Sequence, residues 1–296
     1  MGSLWSAGRN PFPARRDRRS NRMTSRHAKE VVSPDSEIVQ WERRSAASLL
    51  AANTYEERRR LYPKVYNEDN AYWLGKHGQT GISGQVARDI VLLGRCFPGD
   101  GPVLDIGGGV GVAGKAFPAP RKYIVYDASR AALRHGREGL GASVPCGSVL
   151  GYAMELPFSA AVFEGVLLLD VLEHLHSADI DLCLSEVRRV MRPGGKLLVS
   201  TPNRLSGPWD ARREFPDSHD APGLHLNELS ISQALRLLKR HGFRPLAFSG
   251  CPRSGRLCDA PPLMLRAYLF DCLSMLLPWR LRPRVCPLSV VYAGTG

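Results

Sequence analysis

The chain has 296 residues, of which 44% are hydrophobic and 23% charged. That mixture suits one sizeable globular core with additions and excludes a fibrous or wholly disordered polypeptide. Its formal charge is +12, and its seven cysteines (96, 146, 183, 251, 258, 272 and 286) form no CxxC pair. Scattered thiols in odd number argue against a disulfide framework and make the cytoplasm the expected compartment.

Much of the positive charge is local. Arg9, Arg15, Arg16, Arg18, Arg19, Arg22 and Arg26 stand among Ser, Pro and Asn with little apolar material, so residues 1–33 read as a disordered basic arm. Three readings of it stay open: a solvated tail, including a true start near Met23; a contact for nucleic acid or another acidic surface; and a targeting segment. The first is preferred. No apolar segment follows the arginines, as a secretory or twin-arginine signal would need, and Gly2-Ser-Leu-Trp-Ser6 fits only a short myristoylation pattern.

From Pro34 to about Leu93 the periodicity turns helical, with Ile38, Trp41, Ala46, Leu49 and Leu50 on one segment and an aromatic-rich piece (Tyr62, Tyr66, Tyr72, Trp73) after it. This predicts a helical cap over 34–94 ahead of a core over 95–296. An aromatic stripe at helical spacing is also ordinary packing.

The stretch Val103-Leu-Asp-Ile-Gly-Gly-Gly-Val-Gly111 reads as a strand running into a tight turn. Gly107, Gly109 and Gly111 let backbone approach a ligand where a Cβ would collide, and Asp105 is placed to reach an ammonium group. Gly109-Val-Gly-Val-Ala-Gly114 also matches GxGxxG, so the glycines alone do not separate a dinucleotide from S-adenosylmethionine. A short helix through Phe117 is ended by Pro118 and Pro120. Tyr123–Tyr126 is then a second strand, carrying Asp127, 22 residues after Asp105 and suited to ribose hydroxyls. Phe163–Leu169 is an apolar strand ending in Asp170 and opening into a helix, where Asp170 suits either a ligand edge or an N-cap. A helix from Asp179 to Arg192 is ended by Pro193-Gly-Gly195, and a strand follows over 196–201. A polar loop, a helix with Ile231, Leu235 and Leu238, a strand near 246–248 and a closing strand after Cys286 complete the pattern.

Taken together, the glycine motif, the run from Leu167 to Leu175 and the run from Leu184 to Asn203 resemble class I S-adenosylmethionine-dependent methyltransferases. The likeness is to the small-molecule branch (methyltransferase type 11) that includes quinone-biosynthesis enzymes, and it covers roughly residues 85–250. It implies an α/β fold: a Rossmann-like, seven-stranded, doubly wound sheet with an N-terminal helical cap. It further implies an enzyme that moves a methyl group from S-adenosylmethionine to O, N or C of a small acceptor such as a secondary metabolite, sugar, quinone or lipid precursor. The implied cofactor-binding set is Asp105, Gly107, Gly109, Gly111, Asp127, Ala128, Ala153, Met154 and Asp170. Tyr152 stands where the family usually has an acid, which leaves adenine recognition to backbone groups and the Tyr152 ring.

Catalysis needs little beyond alignment of an acceptor lone pair with the methyl group, plus a base. His174 and His225 are the candidate catalytic residues. Tyr72, Trp73 and His77 are candidate substrate contacts, and Lys76 or His77 could hold a carboxylate. Glu173 reads as helix surface or an amino-group contact. Asp217, His219 and Asp220 form a polar loop cluster expected to face solvent, and no metal is expected to be required; Cys251, Cys258 and His241 match no ligand spacing. The arginine-flanked apolar stretch at about 258–285 is too broken to span a membrane and suits packing, a lid or dimer surface, or peripheral membrane contact through 261–285.

Three competing functions are open to test. A nucleic-acid methyltransferase using the basic arm stays as an alternative, although the fourth strand lacks an Asp/Asn-Pro-Pro-aromatic ending; Asp105, interrupting the strand before the first glycine, speaks against a dehydrogenase; and an inactive cofactor-binding partner protein is separated only by assay.

Overall fold

Among the described residues, strands β1 (Val103–Ile106), β2 (Tyr123–Asp127), β3 (Cys146–Leu150), β4 (Phe163–Leu169), β5 (Met191–Pro202), β6 (Phe243–Ser249) and β7 (Leu288–Thr295) form one sheet. Their order is β3-β2-β1-β4-β5-β7-β6. A computed structural model describes residues 37–77, 92–118, 120–140, 146–207, 223–250, 257–259, 261–278, 281–285 and 288–295. The expected basic arm, Cys251 and the Asp217–His219–Asp220 cluster lie outside these residues, as do the side chains of Trp73, Lys76 and His77.

The six strands β1 to β6 run parallel and β7 runs antiparallel between β5 and β6, with Val199 opposite Val291 and Val291 opposite Phe248. Parallel strands covered on both faces are mostly apolar, as are β1 and β4, whose only charged members are Asp105 and Glu164. Alternate side chains divide between two layers. Leu104, Ile106, Val166, Leu168, Val199 and Val291 face a core shared with the helices, while Val103, Val125, Leu167, Leu198 and Val290 face the opposite layer with Leu93 and Phe97. The expected cap boundary near 94 therefore cuts through a helical stretch, 92–96, that packs on the back of the sheet.

The cap consists of α1 (Glu37–Ala51) and α2 (Tyr55–His77). It is fastened to α4 (Ser177–Val190) by a buried ion pair. Arg58 donates from Nε to Asp179 Oδ2 at 2.7 Å and from Nη2 to Oδ1 at 2.6 Å, and Tyr62 donates to the same carboxylate at 2.6 Å. Asp179 lies in the first turn of α4, where the helix dipole favours a negative charge. A second fastening runs to α3 (Arg130–Leu140), where the Ala131 amide donates to Asn67 Oδ1 at 3.0 Å.

Helix α4 starts and ends two residues earlier than the sequence pattern suggests, because the His176 side chain caps it by accepting from the Ala178 amide. Pro193-Gly-Gly195 is not a separate turn but an irregularity within β5, where the register to β4 shifts between Phe163 and Gly165 and Gly194 takes φ 74°. Helix α5 (Ile231–Arg240) begins with a capping box of Ser230 and Gln233.

Helix α6 (Leu263–Leu276) has an inverted pattern. Ala267, Asp271 and Ser274 are buried, while Leu265, Tyr268, Leu269, Leu273, Met275 and Leu276 are exposed. Asp271 is held inward because it accepts from the Ser232 amide in the first turn of α5 at 2.9 Å. A short helix, α7 (Arg282–Val285), leads into β7. No helix among the described residues is long and apolar enough to cross a membrane.

Candidate active site

Strand order reverses between β1 and β4, so the loops leaving their carboxyl ends diverge and open a crevice. A cavity of about 660 Å³ occupies it. Beyond Ile106, Gly107 adopts φ 68° and donates its amide to the Tyr126 carbonyl at 2.7 Å. A Cβ on Gly107 would lie 2.6 Å from Val171 Cγ2, whereas one on Gly109, at φ 55°, would meet nothing within 4 Å. Gly109 lines the cavity, so its open side is space for a ligand. Gly111 is off the cavity lining; at φ 81° it turns the chain into a five-residue 3-10 helix, Val112–Ala116.

Asp127 clamps this turn. Its Oδ2 accepts from the Gly109 amide at 2.8 Å and its Oδ1 from the Ser129 amide at 2.7 Å. Each oxygen keeps a second lone pair, so the clamp leaves capacity for a hydroxyl donor. Asp105 lies deeper, 1% exposed; Tyr123 donates to its Oδ2 in a very short hydrogen bond, and Oδ1 has no partner. Desolvation pushes the Asp105 carboxyl up to about 7, and burial likewise raises Asp127 above the usual carboxylate range.

The opposite end is built from the turn after β4. Asp170 takes φ 56°, donates its amide to Ser200 O at 2.9 Å and accepts from the Ser200 hydroxyl at 2.9 Å. It does not cap the following helix, as one reading of the sequence expected. The 3-10 helix Leu172–His174 has Val171 at its N-cap and no side-chain cap. Asp170 is open to the cavity yet walled by protein, and that desolvation raises its carboxyl.

Glu173 is not helix surface. It is 0% exposed, and neither carboxylate oxygen has a hydrogen-bond partner; Thr201 is beside it but out of bonding geometry. Desolvation, then the neighbouring Asp170, push its carboxyl up to about 8. The Leu226 and Asn227 amides donate to the Glu173 carbonyl at 2.5 and 3.0 Å, pinning the loop before α5 to this turn. His225 is thereby carried to His174, ring centroids 4.9 Å apart. Burial, then the neighbouring His225, push His174 down to about 3, so it is a neutral imidazole.

The cap forms the outer wall. Tyr62, Tyr66, Asp69 and Asn70 fall on one face of α2 and line the cavity. The Tyr66 hydroxyl donates to the His174 carbonyl at 2.5 Å. Opposite, Gly151, Tyr152, Ala153 and Met154 line the same space, with the Arg59 guanidinium 5.2 Å from the Tyr152 ring centroid. Met154 both lines the cavity and joins the core cluster.

The cavity thus gathers Asp105, Gly107, Gly109, Asp127, Ala128, Ala153, Met154, Asp170, His174 and His225. Tyr72 is 39% exposed and off the lining. Asp69 and Asn70 were missed by the sequence reading, although their spacing of three and four residues from Tyr66 on a helix would have found them. Glu228, which meets the His225 imidazole, carried no signal of its own.

Residues 103–195 match the family described as a methyltransferase domain. Over this stretch, from β1 into β5, the chain is similar to methyltransferase domains. It is 34% identical over 156 residues to a probable S-adenosylmethionine-dependent methyltransferase of Mycolicibacterium smegmatis, covering 51% of this chain and 54% of that protein. It is 33% identical over 137 residues to a demethylmenaquinone methyltransferase of Thermobifida fusca, covering 40% and 57%. The chain thus spans just over half the length of these curated relatives.

Two solved structures share the fold of this chain. One is a chain from the complex of the Haloferax volcanii Trm112 methyltransferase activator with a methyltransferase, at TM-score 0.56 and 12% identity, covering 77% of this chain and 96% of that one. The other is the 1,6-didemethyltoxoflavin-N1-methyltransferase of Burkholderia thailandensis, solved with S-adenosylhomocysteine, at TM-score 0.54 and 16% identity, covering 78% and 88%.

Proposed function

We propose that the chain catalyses methyl transfer from S-adenosylmethionine to an O, N or C atom of a small-molecule acceptor. The observation that carries this reading is the charge of the cavity. Asp69, Asp105, Asp127 and Asp170 line it, and no lysine or arginine does so among the described residues. S-adenosylmethionine brings a sulfonium and an ammonium against one carboxylate and fits that lining. A dinucleotide brings a diphosphate, which needs amides at a helix N-terminus or cationic side chains, and the element after the glycine turn is only a five-residue 3-10 helix. The sheet also departs from the dinucleotide-binding order, since the antiparallel β7 is inserted between β5 and β6.

When bound, S-adenosylmethionine supplies an electrophilic methyl group on sulfur. The residues of this chain then have defined tasks. Asp127 clamps the glycine turn and keeps lone pairs for ribose hydroxyls, and Asp105 offers its unpartnered Oδ1 to the ammonium. Tyr152, Ala153 and Met154 supply the wall for adenine. Tyr66, His174 and His225 border the remaining space, where an acceptor would lie. His174 borders this space as a neutral imidazole. The cavity volume falls within the roughly 300–1,000 Å³ of small-molecule sites.

Calorimetric titration with S-adenosylhomocysteine, alongside NADH, tests the reading. Binding of the first ligand alone, weakened by Asp127→Ala and Gly109→Ala, is expected. No binding, or preference for NADH, overturns it.

A further inference from the structure

Glu173, His174 and His225 each present a ligand-capable atom, and these atoms all lie within 4.8 Å of one another. The arrangement is fixed by backbone, since the Glu173 carbonyl binds the Leu226 and Asn227 amides and the Asn227 side chain donates to the Leu175 carbonyl. Both imidazoles are held in the tautomer that suits a metal. His174 Nδ1 lies 3.1 Å from the Leu224 carbonyl, which can only accept, so Nδ1 carries the proton and Nε2 the lone pair. His225 Nδ1 lies 3.1 Å from Glu228 Oε1, and a proton shared there gives the same tautomer. Histidine ligands characteristically give their second N–H to a carbonyl or carboxylate in this way. The independent sign of a missing cation is Glu173, fully buried with both carboxylate oxygens unpartnered.

We propose that Glu173, His174 and His225 form a site for one divalent first-row transition ion, at the acceptor end of the cavity. Two imidazoles and one carboxylate suit zinc, manganese, iron or cobalt. Bond lengths of about 2.0–2.2 Å set ligand atoms about 3–3.5 Å apart, so side-chain shifts on the order of 1 Å close the site. Three protein ligands leave positions open toward the cavity, which His174 and His225 line. Asp170, beside Glu173, adds negative charge that favours a cation.

The functional consequence rests on the methyltransferase reading: the acceptor is one that presents an ionisable hydroxyl. The cation lowers the hydroxyl pKa and its proton leaves to solvent. The oxygen lone pair forms the O–CH3 bond while the S–CH3 electron pair returns to sulfur, giving the methyl ether and S-adenosylhomocysteine. This departs from the expectation, drawn from the sequence, of a metal-independent enzyme.

The test is titration of the chelator-treated full chain with Co²⁺, followed by visible absorption, and with Zn²⁺ by calorimetry. One ion per chain is expected. Glu173→Gln and His225→Ala should each weaken binding more than about 100-fold, and Glu228→Gln, which acts only through His225, by about 10- to 100-fold. Glu173→Gln preserves side-chain shape, and Glu228→Gln lies off the cavity lining, so circular dichroism and retained S-adenosylhomocysteine binding by the latter establish an intact fold. Absence of Co²⁺ binding to the parent chain, or binding unchanged in Glu173→Gln and His225→Ala, overturns the site. Ion binding as described without S-adenosylhomocysteine binding leaves the site standing and defeats the methyltransferase reading; the reverse defeats the site alone.

Discussion

Asp105→Asn should make the ligand-free protein more stable at pH 8 while impairing cofactor binding. Burial moves the Asp105 carboxyl from 3.8 to about 7. The unfolded chain loses this proton near pH 4 and the folded chain near pH 7, so across that window the folded state binds more protons. Stability then falls as pH rises, and levels off above about 7. A shift of roughly 3 units, at about 1.36 kcal/mol each, makes the ionised side chain cost about 4 kcal/mol of folding stability at pH 8. Asparagine removes that cost but weakens the charge-assisted bond from Tyr123, worth about 1.5–3 kcal/mol, so a net gain of about 1–3 kcal/mol is expected. At pH 5 the folded carboxyl is protonated, and the advantage of asparagine should shrink by about 2–3 kcal/mol. Urea denaturation of both proteins at pH 5 and pH 8 reads these differences, and titration with S-adenosylhomocysteine at pH 8 reads the functional loss. A difference between the proteins that does not change with pH, or an asparagine variant that is less stable at pH 8, would refute the reasoning.

The two glycines of the turn should behave differently. Gly107→Ala places a Cβ 2.6 Å from Val171 Cγ2 at φ 68° and should destabilise the fold, by strain of about 1–2 kcal/mol and overpacking of about 1–3 kcal/mol; thermal denaturation checks it. Gly109→Ala meets no protein atom within 4 Å and carries only the strain of its φ of 55°, about 1–2 kcal/mol, so it should lose less stability than Gly107→Ala while S-adenosylhomocysteine binding drops sharply; equal losses of stability in both variants would contradict the assignment of that space to a ligand. Arg58→Ala strands the buried Asp179 carboxylate and should cost about 3–5 kcal/mol, with Arg58→Ala/Asp179→Asn recovering part of it in denaturant titrations. Replacing the exposed Leu265, Leu269, Leu273 or Leu276 by Gln should change stability by less than about 0.5 kcal/mol each, whereas Asp271→Ala, which strips the Ser232 amide of its acceptor, should cost about 1–3 kcal/mol; denaturant titration separates the two classes.

Much of the architecture was legible because its causes are local. The largely apolar runs of β1 and β4, each bounded by turn residues, suit strands covered on both faces, and glycine is the residue that takes the positive φ seen at 107, 109 and 111. The spacing of Asp105 and Asp127 follows from one crossover between adjacent parallel strands, so the cofactor end could be read in order along the chain. Boundaries moved where a long-range partner intervened. The His176 imidazole shifted the start of α4, and pairing with β4 absorbed Pro193-Gly-Gly195 into β5.

Periodicity and local spacing were enough to place the strands, the glycine turn and the acids at strand ends, and the family resemblance added the candidacy of His174 and His225. The surroundings of Glu173 emerge only in the folded chain. A glutamate one residue before a histidine looks like helix surface until a loop more than fifty residues onward folds over it and removes its water. The same docking sets Glu228 behind His225 and turns three unrelated side chains into one cluster. The anionic lining of the cavity is likewise a property of the assembled walls, since Asp69 reaches it from the cap, Asp105 and Asp127 from β1 and β2, and Asp170 from the turn after β4. Burial and juxtaposition across the chain set these electrostatics, and neither is written in any single segment.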